Sequence, residues 1–338
     1  MAAPSDRGSL LAVWRALAND QYGEGWRTIP ISIRAPCTLF AGRRMPNGDE
    51  AVLIGFRTHV TISDAHLPQG QGFEVIRLKI DPTGDDQLIL ALARRTGASL
   101  EFFGMMADDL VNLVDCWTTN EEVGLLQRFL GRIRAWQDFM DRRKEGVLSE
   151  EAEQGLFGEL VELNRMIETG FPKKSVLGAW QGPVDGLHDF TLGDGSIEVK
   201  TTLSVGIFPA TISSLEQLDE NLRQPLFIAA VRLALDSSGI TLPSMANIIR
   251  EKLQDDMASL ELFEVCLIQA GLLPTALTNY TRRFLHITSS IFEVRGDFPR
   301  LTHANVCPAI RRAHYEVDLS LAGATDLDLN NVLNLLGA

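Results

Sequence analysis

The stretch DFTLGDGSIEVKTTL, residues 189–203, reads as two short strands folded back on each other at Gly193-Asp194-Gly195. Side chains alternate faces along a strand, so Ile197 and Val199 point one way while Glu198 and Lys200 point the other. The apolar pair can meet a core, and an acid and an amine then emerge together on the opposite face. Asp189 stands just before the first strand and Glu198 lies late in the second, so the hairpin can bring the two carboxylates close. Carboxylates held close repel each other unless a cation neutralises them. An oxygen-rich pair of this kind suits a hard divalent ion such as Mg²⁺, or Mn²⁺.

Upstream, SEEAEQGLFGELVELNRMIETG (149–170) reads as a helix with Ser149 as N-cap, acids in its first turn and Gly170 just past its end. Leu156, Leu160, Leu163 and Ile167 make its apolar stripe. Glu159 leans toward that stripe, where a carboxylate is costly unless paired or bound to metal. Downstream, VGIFPATI reads as a third strand. SSLEQLDENLR (213–223) reads as a helix with a Ser213–Glu216 capping box, and QPLFIAAVRLAL (224–235) as a buried strand.

The order helix, three strands, helix, strand, with this set of acids and lysine, resembles the PD-(D/E)XK nuclease superfamily. The resemblance covers about residues 149–235. It implies a restriction-endonuclease-like αβββαβ core, α+β or α/β in class. Asp189 matches the first acid of the motif, and Asp185 is a rival for that place. Glu198 and Lys200 match the (D/E)xK pair, and Glu159 matches the helical Glu that many members carry. Gln217 sits where some members have a Gln-x-x-x-Tyr motif, although here Asn221 replaces Tyr. The resemblance further implies an Mg²⁺-dependent (or Mn²⁺-dependent) endonuclease acting on DNA, with Asp189, Glu198, Glu159 and the Val199 carbonyl as metal ligands and Lys200 beside them. His188, next to Asp189, is an accessory candidate for a phosphate or metal, or orders the turn. The texture GLFGEL…HDF…IEVKTT…SSLEQL is similar to uncharacterised prokaryotic PD-(D/E)XK-motif proteins. These are often encoded near restriction or phage-defence genes, so other subunits of such a system are expected partners. The alternative is a silent nuclease-fold scaffold in a DNA-processing complex.

Around this core the chain divides by texture into residues 1–120, 121–148, 149–240 and 241–338. Residues 1–120 read as an α+β domain. SLLAVWRALAND is a helix there, and TIPISI, CTLFAG, AVLIGF, HVTIS and FEVIRLKI are strands. DDQLILALARR then reads as a helix, SLEFFG as a strand and MADDLVNLVDCW as a helix. Residues 121–148 read as a connecting helix, with its arginines outside an apolar stripe. Residues 241–338 read as a mostly helical extension that also contains strands.

The net charge of −13 argues against a general nucleic-acid coat, so a nuclease needs one local basic groove. Residues 280–315 hold Arg282, Arg283, Arg295, Arg300, Arg311 and Arg312 against only Glu293 and Asp297. Arg282, Arg283, Arg300, Arg311 and Arg312 are the candidate nucleic-acid contacts. No apolar run reaches the ~18 residues of a membrane helix. The start of the chain does not read as an export signal, and its four cysteines are scattered, so a cytoplasmic setting is expected. Double-strand cleavage by one site per chain would call for a homodimer.

Overall fold

The computed structural model describes residues 10–18, 23–34, 37–56, 67–78, 88–117, 121–142, 147–182, 186–323 and 326–337. The chain forms two units, Met1–Gly146 with Leu273–Thr275, and Val147–Leu272 with Ala276–Ala338. The strand read at 59–63 and Asp185 lie outside the described residues.

The first unit is built on an antiparallel sheet of β1 (Gly25–Arg34), β2 (Cys37–Met45), β3 (Asp49–Phe56), β4 (Phe73–Leu78) and β5 (Leu88–Arg94), in the order β1-β2-β3-β5-β4. It also holds α1 (Leu10–Leu17), α2 (Leu100–Asp115) and α3 (Glu122–Arg142). Two local expectations are corrected. Residues Leu88–Arg94 are a strand, not a helix. Leu88 through Ala93 are all buried between β3 and β4, and a short apolar run buried on both faces shows no period that separates strand from helix. Residues 100–104 open α2 instead of forming a strand, because the Ser99 side chain accepts from the Phe102 N–H at 3.3 Å and caps the helix. The helix read as a connector is α3, and it is a core element of this unit. Leu125, Phe129, Ile133 and Trp136 are buried, Trp136 Nε1 donates to Asp109 Oδ2 at 2.8 Å, and Arg132 lies buried 3.7 Å from the same carboxylate.

The second unit carries the 189–203 hairpin. Its main sheet runs β10-β9-β7-β6, from β6 (Phe190–Leu192), β7 (Gly195–Thr202), β9 (Leu226–Ile240) and β10 (Phe284–Glu293). β6 and β7 pair antiparallel through a two-residue turn in which Gly193 has φ of 53°. That left-handed value favours glycine, and the Leu336 carbonyl oxygen lies 2.3 Å from where a Cβ would stand. β9 then pairs parallel with β7, Glu198 against Ile228 and Lys200 against Ala230. The unit also contains α4 (Glu150–Glu168), α5 (Lys173–Ala179), α6 (Leu242–Leu253), α7 (Met257–Ala270) and α8 (Leu329–Leu335).

The αβββαβ order is met only in part. The third strand exists as β8 (Pro209–Ile212), but it leaves the main sheet and pairs with β11 (Tyr315–Asp318). The helix expected over 213–223 is a series of turns. Ser214 Oγ takes the Glu216 N–H, Asp219 Oδ1 takes the Asn221 N–H, and Ser213 N–H donates to Gln217 Oε1 at 2.8 Å. Short polar side chains here capture the peptide groups that a helix would need. Residues 241–338 carry α6, α7 and α8, as a mostly helical region would, but they are not an extension separate from the core. They supply β10 to the main sheet and β11 to the small one.

Candidate active site

The site is assembled by α4, β7 and the segment before β6. α4 packs across β7 at Gly158, where a Cβ would fall 2.0 Å from Thr201 Oγ1. This close approach delivers the next residue, Glu159, to the site. Trp180 Nε1 donates to Glu159 Oε2 at 2.8 Å. Gly182 lies between two acids: a Cβ there would stand 2.3 Å from Glu159 Oε2 and 3.1 Å from Asp189 Oδ1.

Asp189 ends the loop that enters β6. Its carbonyl accepts from Gln181 N–H at 2.7 Å and Gly182 N–H at 3.1 Å, and its Oδ2 accepts from Val199 N–H at 2.7 Å. The first acid is thereby tied to the backbone between Glu198 and Lys200. Glu198 is 4% exposed; its Oε1 meets Lys200 Nζ at 2.8 Å and accepts from Gln217 Nε2 at 2.7 Å. The structure thus brings Glu159, Asp189, Glu198, Lys200 and Gln217 together.

His188 plays the ordering role. Its Nε2 lies 2.9 Å from the Gln217 carbonyl and its Nδ1 lies 3.0 Å from Ser196 Oγ. Both ring nitrogens are engaged, and burial pulls its pKa down from 6.5. The histidine pins the turn that delivers Gln217 to Glu198. Sequence reasoning misses Trp180, Gly182 and Ser196. Ser196 is findable, because alternation puts it on the same face as Glu198 and Lys200. No motif marks Trp180 or Gly182.

Burial pushes the Asp189 carboxyl well above the usual carboxylate range, and the Glu198 charge pushes it further. Glu198 is also raised, by burial first, with Lys200 opposing and Glu159 adding to the rise. An acid raised in the folded state binds its proton more tightly there than in the unfolded chain. Its ionisation therefore costs stability, and the cost grows as pH climbs from ~3.9, the unfolded Asp value, through the folded value. Asp189→Asn stays neutral and can still accept from Val199. In metal-free buffer near pH 8 this variant is expected to melt above the wild type, by ~2–4 °C for each kcal/mol relieved. A variant no more stable at pH 8, or equally stabilised at pH 3, would show that the carboxylate carries no such strain.

Among the described residues no three His, Cys, Asp or Glu side chains already form a metal cage. Mg²⁺ asks for less, because it binds through one or two carboxylates and keeps several waters. Asp189 and Glu198, each raising the need for a counter-charge, fit that demand. All four cysteines are free, and burial pushes the Cys266 thiol up to about 12, which leaves it a poor nucleophile.

A family model described as "Putative PD-(D/E)XK family member, (DUF4420)" matches residues 10–320. The chain belongs to the DUF4420 family. The match spans both units, so the first unit is part of what defines DUF4420 and not an appendage to it. No curated protein and no solved structure matches the chain. No helix among the described residues of this DUF4420 member is long and apolar enough to cross a membrane.

The arginines expected to contact nucleic acid divide into two groups. Arg282 Nη1 donates to the Glu150 carbonyl at 2.8 Å and lies 3.3 Å from the buried Glu153. Arg283 Nη1 donates to the Gly239 carbonyl at 2.9 Å. Arg300 pairs with Glu220 and donates to the carbonyls of Gly296 and Phe298. These three brace the second unit. Arg311 and Arg312 are exposed and make no such contact among the described residues. Nearby, His303 Nε2 meets Glu216 Oε1 at 2.7 Å and holds that carboxyl down at about 2.

Proposed function

We propose that this DUF4420 protein is a metal-dependent nuclease that hydrolyses phosphodiester bonds in DNA, in a restriction or phage-defence setting. The observation that carries this reading is the pair of the half-buried Asp189 and the buried Glu198, Asp189 tied to the Val199 N–H and Glu198 paired with Lys200 on the face of β7. A pure scaffold gains nothing from holding together two acids whose pKa values are both pushed up, Asp189 by burial and the Glu198 charge and Glu198 by burial and the Glu159 charge, whereas a cation site requires them.

Asp189 and Glu198 would hold Mg²⁺ or Mn²⁺. Glu159 stands at the edge of the set, and the Val199 carbonyl shares the strand edge of the N–H that Asp189 engages. An ion held there would supply Lewis acidity, lowering the pKa of a bound water and offsetting charge on the phosphate. Gln217 and Lys200 fix the Glu198 carboxylate from two sides. The Lys200 ammonium orients the attacking water and stabilises the developing charge. Cleavage of both strands calls for two copies of the chain.

Incubation with plasmid, linear and single-stranded DNA in Mg²⁺ or Mn²⁺ tests this reading. Cleavage that a chelator stops is expected; intact DNA in every arm contradicts it. Exposed Arg311 and Arg312 are the proposed phosphate contacts. Replacing both by Ala should weaken DNA binding and lower the slope of log K against log salt by ~0.9 for each phosphate no longer neutralised. An unchanged slope would remove them from the interface.

A further inference from the structure

β7 does not end in an ordinary flexible loop. The Arg232 guanidinium donates through Nη1 to the carbonyls of Ser204 and Ile207, and through Nη2 to that of Gly206. It also stands 5.2 Å from the Phe208 ring centroid. Ser204 N–H donates to Thr202 Oγ1 at 3.1 Å. Phe208 closes the loop, its N–H donating to Asp318 Oδ1 and its carbonyl accepting from Leu319. Loop 203–208 is therefore braced at both ends and along its backbone.

What this brace displays is apolar. Val205 is 97% exposed and Ile207 is 58% exposed. Single aliphatic side chains on a surface are ordinary. Two on one loop whose carbonyls are held by a single guanidinium are a different case. Both are β-branched and stiff at χ1, so loop and side chains are set before anything binds, and little ordering entropy remains to be lost. Val205 lies five residues beyond Lys200, at most ~17 Å along the chain, less than the width of a duplex. The loop itself is uncharged: residues 201–215 contain no Asp, Glu, Lys or Arg, so it sets no carboxylate of its own against a polyanion. Asp318, the acid at the base of the loop, is engaged by the Phe208 and Ser320 N–H groups.

We propose that Val205 and Ile207 form an apolar wedge that enters the base stack of a duplex held at the Asp189–Glu198–Lys200 site. Aliphatic wedges of this kind unstack a base step and kink the helix. The kink would turn the scissile phosphate toward Lys200. The inference rests on the nuclease reading, and its test separates the two.

The full chain, with Ca²⁺ in place of Mg²⁺, is titrated with duplexes carrying 2-aminopurine at successive positions. Anisotropy reports binding, and 2-aminopurine fluorescence reports unstacking. The wild type is expected to bind and to raise fluorescence several-fold at one or two adjacent positions. Val205→Ser with Ile207→Ser should abolish the rise and weaken binding about tenfold, with an unchanged melting temperature. Leu335→Ser, at another exposed aliphatic, should alter neither signal. Binding without any fluorescence rise, or a rise that survives the double substitution, overturns the wedge and leaves the nuclease reading standing. No binding by the wild type to any duplex overturns both.

Discussion

Lys200→Ala protein is expected to fold normally and to lose cleavage by about three orders of magnitude, within the 10²–10⁴ range that one positioned acid–base group supplies. Lys200 lies at the partly exposed end of the face it shares with Ser196 and Glu198, and among the described residues its ion pair is with Glu198. Removing the amine leaves Glu198 still held by Gln217 at 2.7 Å. The fold therefore stays intact while the site loses the cation beside the reacting phosphate. Asp189→Ala should be equally inactive for a different reason. It removes a proposed metal ligand and frees the Val199 N–H. The pair is measured as single-turnover cleavage at saturating Mg²⁺, with circular dichroism as the check on folding. Either variant cleaving at the wild-type rate would remove that residue from the mechanism.

The second large effect is on the fold. Gly158→Ala places a methyl 2.0 Å from Thr201 Oγ1, on a helix backbone that rests directly on β7. A threonine side chain is short and stiff, so α4 must move instead. Overpacking of this kind typically costs ~1–3 kcal/mol. The shift carries Glu159 away from Trp180 and from Gly182. Adding Thr201→Ala removes the clashing oxygen and leaves the residue 201 Cβ at 3.2 Å, so the double variant should recover much of the stability. Denaturant unfolding of the four proteins forms a double-mutant cycle, and the coupling should exceed the ~0.5 kcal/mol expected of independent sites. Additive costs would show that helix and strand do not approach as closely as described.

The hairpin is legible in the sequence because its information is local. Glu198 and Lys200 share a face by strand alternation alone, and the Gly193 turn fixes which residues of β6 and β7 meet. The α4 stripe is legible for the same reason. What fails is decided by partners distant in sequence. Residues 213–223 carry a good helix pattern, yet the His188 ring, 29 positions away, holds the Gln217 carbonyl and the local Ser and Asp side chains take the peptide groups. β8 is a strand as its sequence suggests, but its neighbour β11 lies a hundred residues on, and nothing in VGIFPATI announces it. LILALAR misleads because full burial removes the period that separates strand from helix. Composition likewise does not separate Arg282 and Arg300, which brace the fold, from Arg311 and Arg312, which face solvent. All four look alike in a basic stretch.

These corrections make the carboxylate pair more central. Gln217 reaches Glu198 from a turn that His188 pins, with Arg300 and His303 tied to the same turn through Glu220 and Glu216. The sequence motif supplies the acids; the structure supplies the frame that holds them close against their own repulsion. The most direct test of that frame is a titration of Mg²⁺ and Mn²⁺ near pH 8, followed by melting temperature, on the wild type and on Asp189→Asn. A ligand that binds only the native state raises its stability by ~2.7 kcal/mol at a hundredfold excess over its Kd. The wild type should gain several degrees with metal. Asp189→Asn should start higher and gain nothing. A wild type whose melting temperature ignores both ions, or a variant that gains as much as the wild type, would contradict the assignment of Asp189 and Glu198 as a metal site.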